Sequence, residues 1–359
     1  MSKLTKTPSC DVSRRRILQG AGAIATGLLL GTESALAADS CVSSPFSLPS
    51  TTSAGWTKIF SDMGNSPKSD YPAADDLSGW DALRLRLNVM FTEMNRERVA
   101  HTGVRLHEDT LGGVPVLWVE PPKVRRKDCL IVYTHGGAYT LASAGSTALT
   151  PANVAVAAGC RAISIDYTLA PRARWDRTTE EVEKVFAAIY AKGYSPERVA
   201  CFGESAGGGL TAGALLRMRD RHIPLPAAAV LWSPWTDLDF QGDSLHTLAA
   251  ADLQISLKSL LPCRDAYVAA ADRRHPYASP VYGDFSKGFP PTLIQCGLRE
   301  ALLSDSVRLY QAMDTAGVDV RFDPYEAMPH IHQIQAPETP EAQLAIAKTV
   351  RFLIAHMGG

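Results

Sequence analysis

The sequence has no excess of charge of either sign, because its 359 residues carry 36 Lys and Arg against 37 Asp and Glu. A formal net charge of −1 provides no general attraction to nucleic acid or to an anionic membrane surface. Internal repeats and low-complexity tracts are also absent, which argues against a repeat array. With 46% hydrophobic and 20% charged residues, the chain is expected to be a soluble globular protein that acts on a small molecule.

Residues 1–37 differ in composition from the rest and predict a signal peptide. The pair Arg14-Arg15 precedes an apolar stretch at residues 20–30 that is too short and too rich in Gly and Ala to span a membrane. Ala35-Leu36-Ala37 then provides a small-residue cleavage site. This order is typical of a twin-arginine signal, so we expect a bacterial protein that is exported folded, periplasmic or secreted, without a stable membrane anchor.

The sequence contains seven cysteines, and all but Cys10 lie after the predicted cleavage site. An even number in an oxidising compartment favours disulfides, but no pairing can be derived from the sequence. Four of them lie in or beside strand-like apolar runs, where cysteine is typically a small buried hydrophobe. We therefore expect burial of Cys129, Cys160, Cys201 and Cys296.

From about residue 114 onward, short apolar runs alternate with helical patterns. Several runs are continuously apolar, which is typical of strands covered by helices on both faces. The alternation predicts an α/β fold with a mostly parallel central sheet and helices on both faces. The predicted strands are Val114–Val119, Cys129–Thr134, Cys160–Ile165, Val199–Phe202, Ala227–Trp232, Thr292–Cys296 and Val318–Tyr325. The predicted helices are Thr150–Ala158, Thr179–Ala191, Ala206–Arg221, Asp305–Ala316 and Pro340–His356.

Two segments fall outside this alternation and predict a helical cap. Residues 38–110 contain a helix-like stretch at Ser78–Val99 with a broad apolar face. Residues 233–285 form a long insertion between two strands, with helical patches around Leu253–Ala270. Both are expected to cover the carboxyl edge of the sheet, where α/β proteins bind ligands. The expected organisation is a signal at 1–37, a cap-forming segment at 38–110 and the main α/β domain at 111–359.

The strand predicted at Val199–Phe202 leads into Gly203-Glu204-Ser205-Ala206-Gly207 and then into a helix. This is the pattern G-x-S-x-G in the strand, turn and helix context that a nucleophilic serine requires. A sharp turn there strains the backbone of Ser205 and lifts its hydroxyl above the sheet. The bare pattern also occurs by chance in Gly-rich turns, so the flanking strand and helix support the prediction of Ser205 as nucleophile.

The strand predicted at Cys129–Thr134 ends in a loop that begins with His135 and two glycines. The N–H groups of Gly136 and Gly137, joined by that of Ala206, are predicted to form an oxyanion hole for a tetrahedral intermediate. An ordinary Gly-Gly turn is the alternative. The predicted nucleophile Ser205 weakens that alternative, because a serine that attacks a carbonyl needs a loop of N–H donors after an early strand.

A serine hydroxyl needs a general base, and two histidines follow the last predicted strand. We predict His330, which directly follows Met328-Pro329, as the base and His332 as its neighbour in the loop. A metal site at this H-x-H pair is the alternative, but no Cys or carboxylate cluster nearby completes it. We therefore expect neither a metal nor an organic cofactor.

The third member of the expected triad is a carboxylate after the strand predicted at Thr292–Cys296. Glu300 lies in the loop proper, whereas Asp305 has the position of a helix cap or first-turn acid. We predict Glu300 as the triad acid and retain Asp305 as the alternative. Asp237 and Asp239, after the preceding strand, are weaker candidates and more typical of a turn.

In combination, these motifs resemble the bacterial hormone-sensitive-lipase family of esterases, an α/β-hydrolase group. The resemblance covers roughly residues 110–355. It implies a helical, largely N-terminal cap, the triad Ser205, Glu300 and His330, the oxyanion donors Gly136, Gly137 and Ala206, and a homodimer. The motifs are His-Gly-Gly-Ala-Tyr at 135–139, Asp-Tyr-Thr-Leu-Ala-Pro at 166–171, Gly-Glu-Ser-Ala-Gly-Gly at 203–208 and Met-Pro-His at 328–330. Two positions depart from the family pattern: Glu204 replaces the usual Asp or Thr, and Arg172 replaces Glu.

The sequence therefore predicts a serine carboxylic-ester hydrolase that works through an acyl-enzyme intermediate. The resemblance implies small-molecule esters of short to medium acyl chain as substrates. An amide or peptide hydrolase on the same fold is one alternative, because a triad alone does not distinguish esters from amides. A non-catalytic binding protein is another, and its sign is a broken triad or donor loop.

Overall fold

A computed structural model describes residues 48–63 and 71–358. The predicted signal peptide at residues 1–37 lies outside the described residues. Within them, one eight-stranded sheet has the order β1-β2-β4-β3-β5-β6-β7-β8. The strands are β1 (Arg105–Leu111), β2 (Val114–Glu120), β3 (Leu130–Thr134), β4 (Arg161–Ile165), β5 (Val199–Glu204), β6 (Ala228–Trp232), β7 (Thr292–Gly297) and β8 (Val320–Tyr325). Strand β2 is antiparallel to both of its neighbours, and all other neighbouring pairs are parallel.

All seven predicted strands are present, and the prediction of a mostly parallel sheet is confirmed. Strand β1 was not predicted, because it is polar and exposed except at Leu111 and pairs only with β2. An edge strand with no buried face has no apolar run to signal it. Because β1 begins at Arg105, the sheet starts before residue 111, the predicted start of the main α/β domain.

The predicted helices are also present, with ends that differ by a few residues. The described helices are α1 (Ala54–Met63), α2 (Leu77–Thr102), α3 (Leu149–Ala158), α4 (Trp175–Ala191), α5 (Ala206–Asp220), α6 (Ser244–Thr247), α7 (Leu257–Tyr267), α8 (Leu303–Thr315), α9 (His332–Gln335) and α10 (Pro340–His356). The insertion at 233–285 contains α6 and α7. None of the helices in the described ranges is long and apolar enough to cross a membrane.

The helices form a layer on each face of the sheet. On one face, α3 and α10 pack over alternate strand residues such as Ile131 and Tyr133. On the other face, α4 and α5 cover Leu130 and Val132, and α8 packs beside α5. Because both faces are covered, every residue of β3, β5, β6 and β7 is buried. The four cysteines predicted to be buried are buried, and they are free thiols.

The N-terminal segment is attached next to the loop that follows β8. Trp56 and Ile59 of α1 pack against Met328 in that loop. The backbone N–H and the hydroxyl of Ser53 both donate to the carboxylate of Glu341, at 2.8 and 2.9 Å. These contacts connect the start of the described chain to the carboxyl edge of the sheet.

Candidate active site

Ser205 lies at the turn between β5 and α5 in a backbone conformation that few non-glycine residues adopt. Its φ is 54° and its ψ is −125°, and α5 begins at the next residue. A Cβ atom on Gly207 would lie 2.1 Å from the carbonyl oxygen of Thr134, so only glycine fits there. The turn is therefore strained and closely packed, as expected for a nucleophile held above a sheet.

His330 lies in the loop after β8 and faces Ser205. Its Nε2 is 3.0 Å from the Ser205 hydroxyl oxygen, which is within hydrogen-bond distance. The side-chain amide of Gln335 donates to the carbonyl of His330 and holds the backbone of the loop. Ser205 and His330, which lie far apart along the chain, are thus brought together as predicted.

His332 has a different environment from His330. It is fully buried in α9, where its ring contacts the ring of Tyr325 with centroids 4.7 Å apart. Burial lowers the pKa of His332 to about 3, so its ring is neutral. Within the described residues, no group of His, Cys, Asp and Glu side chains is suited to hold a metal ion.

Glu300, and not Asp305, lies beside His330. The Glu300 carboxylate is fully buried, and its Oε2 is 3.7 Å from the Nδ1 of His330, an ion-pair distance. The carboxylate of Asp305 instead accepts the backbone N–H groups of Thr236 and Asp237, at 2.7 and 2.8 Å. Burial, followed by the nearby Asp237, raises the pKa of Asp305 to about 8. Asp305 therefore supports the loop after β6.

The two weaker carboxylate candidates are engaged in ion pairs away from the histidine. Asp237 pairs with Arg308, and Asp239 pairs with Arg274 at 2.6 Å. Asp237 also accepts the hydroxyl of Tyr282 at 3.0 Å. Both carboxylates are thus part of the folded insertion.

Ser233 connects Glu300 to the histidine loop and was missed by the sequence analysis. Its hydroxyl donates to Oε2 of Glu300 at 2.7 Å and accepts the N–H of Ile331 at 3.1 Å. The N–H of Gly297 also donates to the same carboxylate oxygen, at 3.2 Å. Ser233 follows β6 directly, and that position at a strand end was the only signal in the sequence that could have identified it.

The loop after β3 differs from the expectation at Gly136. Its N–H donates to Oε1 of Glu204 at 2.6 Å, so the prediction that Gly136 is an oxyanion donor is wrong. The N–H groups of the next two residues, Gly137 and Ala138, have no acceptor among the described residues. Ala206 begins α5, so its N–H has no partner within the helix. The N–H groups left for a substrate oxygen are therefore those of Gly137, Ala138 and Ala206.

A cavity of about 440 Å³ lies over Ser205 and His330. Most of its wall is apolar, as is typical of sites for small organic ligands. Both segments predicted to form the cap contribute to it. From α2 come Leu83, Leu87, Met90, Phe91 and Met94, and from the insertion come Leu253, Ile255 and Leu260.

Arg84 connects the cap helix α2 to the loop that carries the oxyanion donors. Its Nε donates to the carbonyl of Thr140 at 2.7 Å, and its Nη2 donates to the carbonyl of Ala170. The N–H of Thr140 in turn donates to the carbonyl of Gly137 at 3.0 Å. The cap wall and the donor loop are thus parts of one hydrogen-bonded unit.

Known proteins with related sequences share this fold. A family profile described as the α/β-hydrolase fold matches residues 131–334. An acetyl-hydrolase of Streptomyces hygroscopicus is 36% identical over 249 residues, which is 69% of this chain and 82% of the relative. An esterase of Acinetobacter venetianus is 30% identical over 224 residues, which is 62% of this chain and 74% of the relative.

A solved esterase from the bacterial hormone-sensitive lipase family aligns with 84% of this chain and 96% of its own, at a TM-score of 0.73 and 32% identity. The chain belongs to the hormone-sensitive-lipase family of α/β hydrolases. Another solved esterase aligns with 87% of this hydrolase and 97% of its own chain, at a TM-score of 0.76 and 29% identity. The predicted family is thereby confirmed, and the chain is a carboxylesterase-like hydrolase.

The position of Ser233 predicts a catalytic defect without loss of folding. We expect Ser233→Ala to lower kcat of the hydrolase about tenfold with little change in KM, because a hydrogen bond to a charged group is lost. Steady-state kinetics on a chromogenic ester would measure this effect. Ser306→Ala removes another buried serine hydroxyl, outside the cavity, and is the matched control. Equal kcat values for the two variants would contradict the role of Ser233.

A second pair of variants tests whether Glu300 or Asp305 is the triad acid. Glu300→Gln should lower kcat about a hundredfold or more, because an amide cannot stabilise an imidazolium as a carboxylate does. Asp305→Asn should keep kcat within about twofold at pH 7, because the raised pKa already leaves that carboxyl mostly neutral. Single-turnover rates at pH 7 would measure both effects. The opposite ranking would make Asp305 the triad acid.

Proposed function

We propose that this hydrolase cleaves carboxylic esters of short to medium acyl chain through a covalent acyl-enzyme on Ser205. The observation that carries the proposal is the 3.0 Å distance between the Ser205 hydroxyl and Nε2 of His330, at the floor of an apolar cavity. A hydroxyl beside a base and below an apolar wall is suited to attack an ester carbonyl.

In the first half of the reaction, His330 takes the proton of Ser205 as the hydroxyl attacks the carbonyl carbon. The negative charge that develops on the carbonyl oxygen is stabilised by the N–H groups of Gly137, Ala138 and Ala206. The buried carboxylate of Glu300 stabilises the imidazolium. His330 then donates its proton to the leaving alcohol as the carbon–oxygen bond breaks, which leaves an acyl ester on the serine.

In the second half, water replaces the alcohol. His330 removes a proton from the water as the water attacks the acyl ester, and the same three N–H groups hold the oxyanion. Collapse of the tetrahedral intermediate releases the carboxylic acid and returns the proton to Ser205. The ester and one water molecule balance the reaction, which yields one alcohol and one carboxylic acid.

Two observations support a small acyl group. The cavity, at about 440 Å³, is in the lower part of the range for small-molecule sites. Met90, Phe91 and Met94 of α2 line it and fit an apolar chain. The relative from Streptomyces hygroscopicus is named an acetyl-hydrolase, which agrees with a small acyl group.

Loss of the nucleophile tests the proposed reaction. We expect Ser205→Ala to lower kcat by about a thousandfold or more, because no acyl-enzyme forms. Wild-type activity should be highest on esters between acetate and octanoate and low on dodecanoate. Initial rates over this series, beside the matched anilides, would measure acyl preference and separate an esterase from an amidase. Full activity of Ser205→Ala, or faster anilide cleavage, would contradict the proposal.

We also propose that the esterase is exported, on the basis of the arginine pair, apolar stretch and cleavage site in residues 1–37. In a bacterial host, the chain should appear in the periplasm and begin at Ala38. Fractionation and N-terminal mass analysis would measure this. Replacing Arg14 and Arg15 by lysine should retain the precursor in the cytoplasm. Unprocessed wild-type protein would contradict export.

A further inference from the structure

Glu204 precedes the nucleophile in the chain, and its side chain lies against the loop after β3. It is the last residue of β5 and is only 3% exposed. Its Oε1 accepts the N–H of Gly136 at 2.6 Å. A short hydrogen bond that a backbone N–H donates to a carboxyl oxygen is strong in a buried, apolar environment. The strand that carries Ser205 therefore also holds the start of the donor loop.

The packing around this hydrogen bond leaves the loop little freedom. A Cβ atom on Gly136 would lie 2.8 Å from Oε1 of Glu204, so the glycine is in direct contact with the carboxyl. Beyond it, the carbonyl of Gly137 accepts the N–H groups of Thr140 and Leu141, at 3.0 and 2.8 Å. The N–H groups of Gly137 and Ala138 thus lie between two anchors, one of which is Glu204.

We propose that Glu204 is a positioning residue for ester hydrolysis: it holds Gly136 so that the N–H groups of Gly137 and Ala138 face the substrate oxygen. The inference rests on the proposed function, since those N–H groups matter only if an oxyanion forms above Ser205. Glu204 lines the cavity behind Ser205, but its carboxyl is turned to Gly136. It acts through the backbone of the loop.

The surroundings of Glu204 favour its neutral form. The carboxyl also interacts with the buried hydroxyl of Tyr133, and no Lys or Arg among the described residues forms an ion pair with it. Burial raises the pKa of Glu204 to about 8, although the hydrogen bond from Gly136 opposes the shift. At neutral pH the carboxyl is therefore mostly uncharged and still accepts the N–H through its carbonyl oxygen.

Two tyrosines and one histidine near Glu204 have pKa values that burial moves away from this range. Burial raises the pKa of Tyr133 in β3, and of Tyr167 after β4, well above the usual value. Burial lowers the pKa of His135, so its ring is neutral. His330 faces the same cavity from the loop after β8. As the pH rises through about 8, Glu204 gains a negative charge in this pocket.

The negative charge of ionised Glu204 should lower both the activity and the stability of the enzyme. A carboxylate beside the oxyanion hole repels the negative charge of the tetrahedral intermediate, so activity should decline as Glu204 ionises. Stability should respond in the same direction. The carboxyl is neutral in the native state but ionises in the unfolded state. The free energy of unfolding should therefore fall as the pH rises from about 4.5 to about 8.

Three variants test the positioning role. Glu204→Gln keeps the shape and the acceptor oxygen but cannot ionise, so kcat at pH 7 should stay within about threefold of wild type and the decline above pH 8 should disappear. Glu204→Asp shortens the side chain by a methylene group and Glu204→Ala removes the carboxyl, so kcat should fall about tenfold to a hundredfold with little change in KM. Affinity for a trifluoromethyl ketone, which forms an oxyanion on the serine, should fall in parallel with kcat.

The control is another buried glutamate. Glu183 of α4 forms ion pairs with Arg217 and Arg221 and does not line the cavity. Glu183→Gln should lower the thermal midpoint but leave kcat, the pH profile and ketone affinity unchanged. Titration with a phosphonate ester that labels Ser205 would count folded sites in every variant, so that partial unfolding is not mistaken for a catalytic defect.

The outcomes separate this inference from the proposed function. Wild-type kcat and pH profile in Glu204→Asp and Glu204→Ala, in an enzyme that still depends on Ser205, would overturn the role of Glu204 alone. So would a retained decline above pH 8 in Glu204→Gln. Esterase activity that survives Ser205→Ala would overturn the proposed function itself. Loss of ketone affinity with unchanged KM, rescued by Gln, is the result that supports the positioning role.

Discussion

The close packing of the β5–α5 turn against the end of β3 is the constraint on which the site depends. A Cβ atom on Gly203 would lie 2.5 Å from the carbonyl oxygen of Gly207, and one on Gly207 would lie 2.4 Å from the carbonyl oxygen of His135. The hydroxyl of Thr134 also donates to the carbonyl of Gly207 at 2.8 Å. Ser205 and the loop after β3 are therefore held on adjacent, mutually supporting pieces of backbone.

The parallel register of the sheet brings the remaining groups to the same edge. Trp232, at the end of β6, pairs with Glu204 at the end of β5, and Gly297 of β7 pairs with Tyr325 of β8. Because parallel strands end at one edge, the loops that follow β6, β7 and β8 emerge side by side. Ser233 joins the first two of these loops to the third through a single hydroxyl. The geometry of the acid and the base thus follows from strand register, and one short side chain then aligns them.

Much of this arrangement could be predicted from the sequence, and the exceptions share a physical cause. Strands buried on both faces have continuous apolar runs, and Ser205 and His330 occur at predictable strand ends, so these features could be derived from local patterns. Strand β1 is an exposed edge and has no such pattern. The partner of Gly136 and the role of Ser233 depend on contacts between residues distant in the chain, which local patterns do not contain. The Gly-Gly pair led to the prediction that Gly136 is an oxyanion donor, but its N–H donates to Glu204 instead.

The cap helix α2 contacts both the cavity and the loop after β3. Its residues form part of the cavity wall, and Arg84 also donates a hydrogen bond to the carbonyl of Thr140, in the loop after β3 that is proposed to hold the oxyanion. A change in the packing of α2 can therefore reach this loop through Arg84, at a different residue from the one that Glu204 holds. The loop is held between the cap helix α2, which lines the cavity, and the strand β5, which leads to Ser205. For this reason, substitutions in the cap that enlarge the acyl pocket are expected to change kcat as well as KM, because substrate selection and oxyanion stabilisation share one loop.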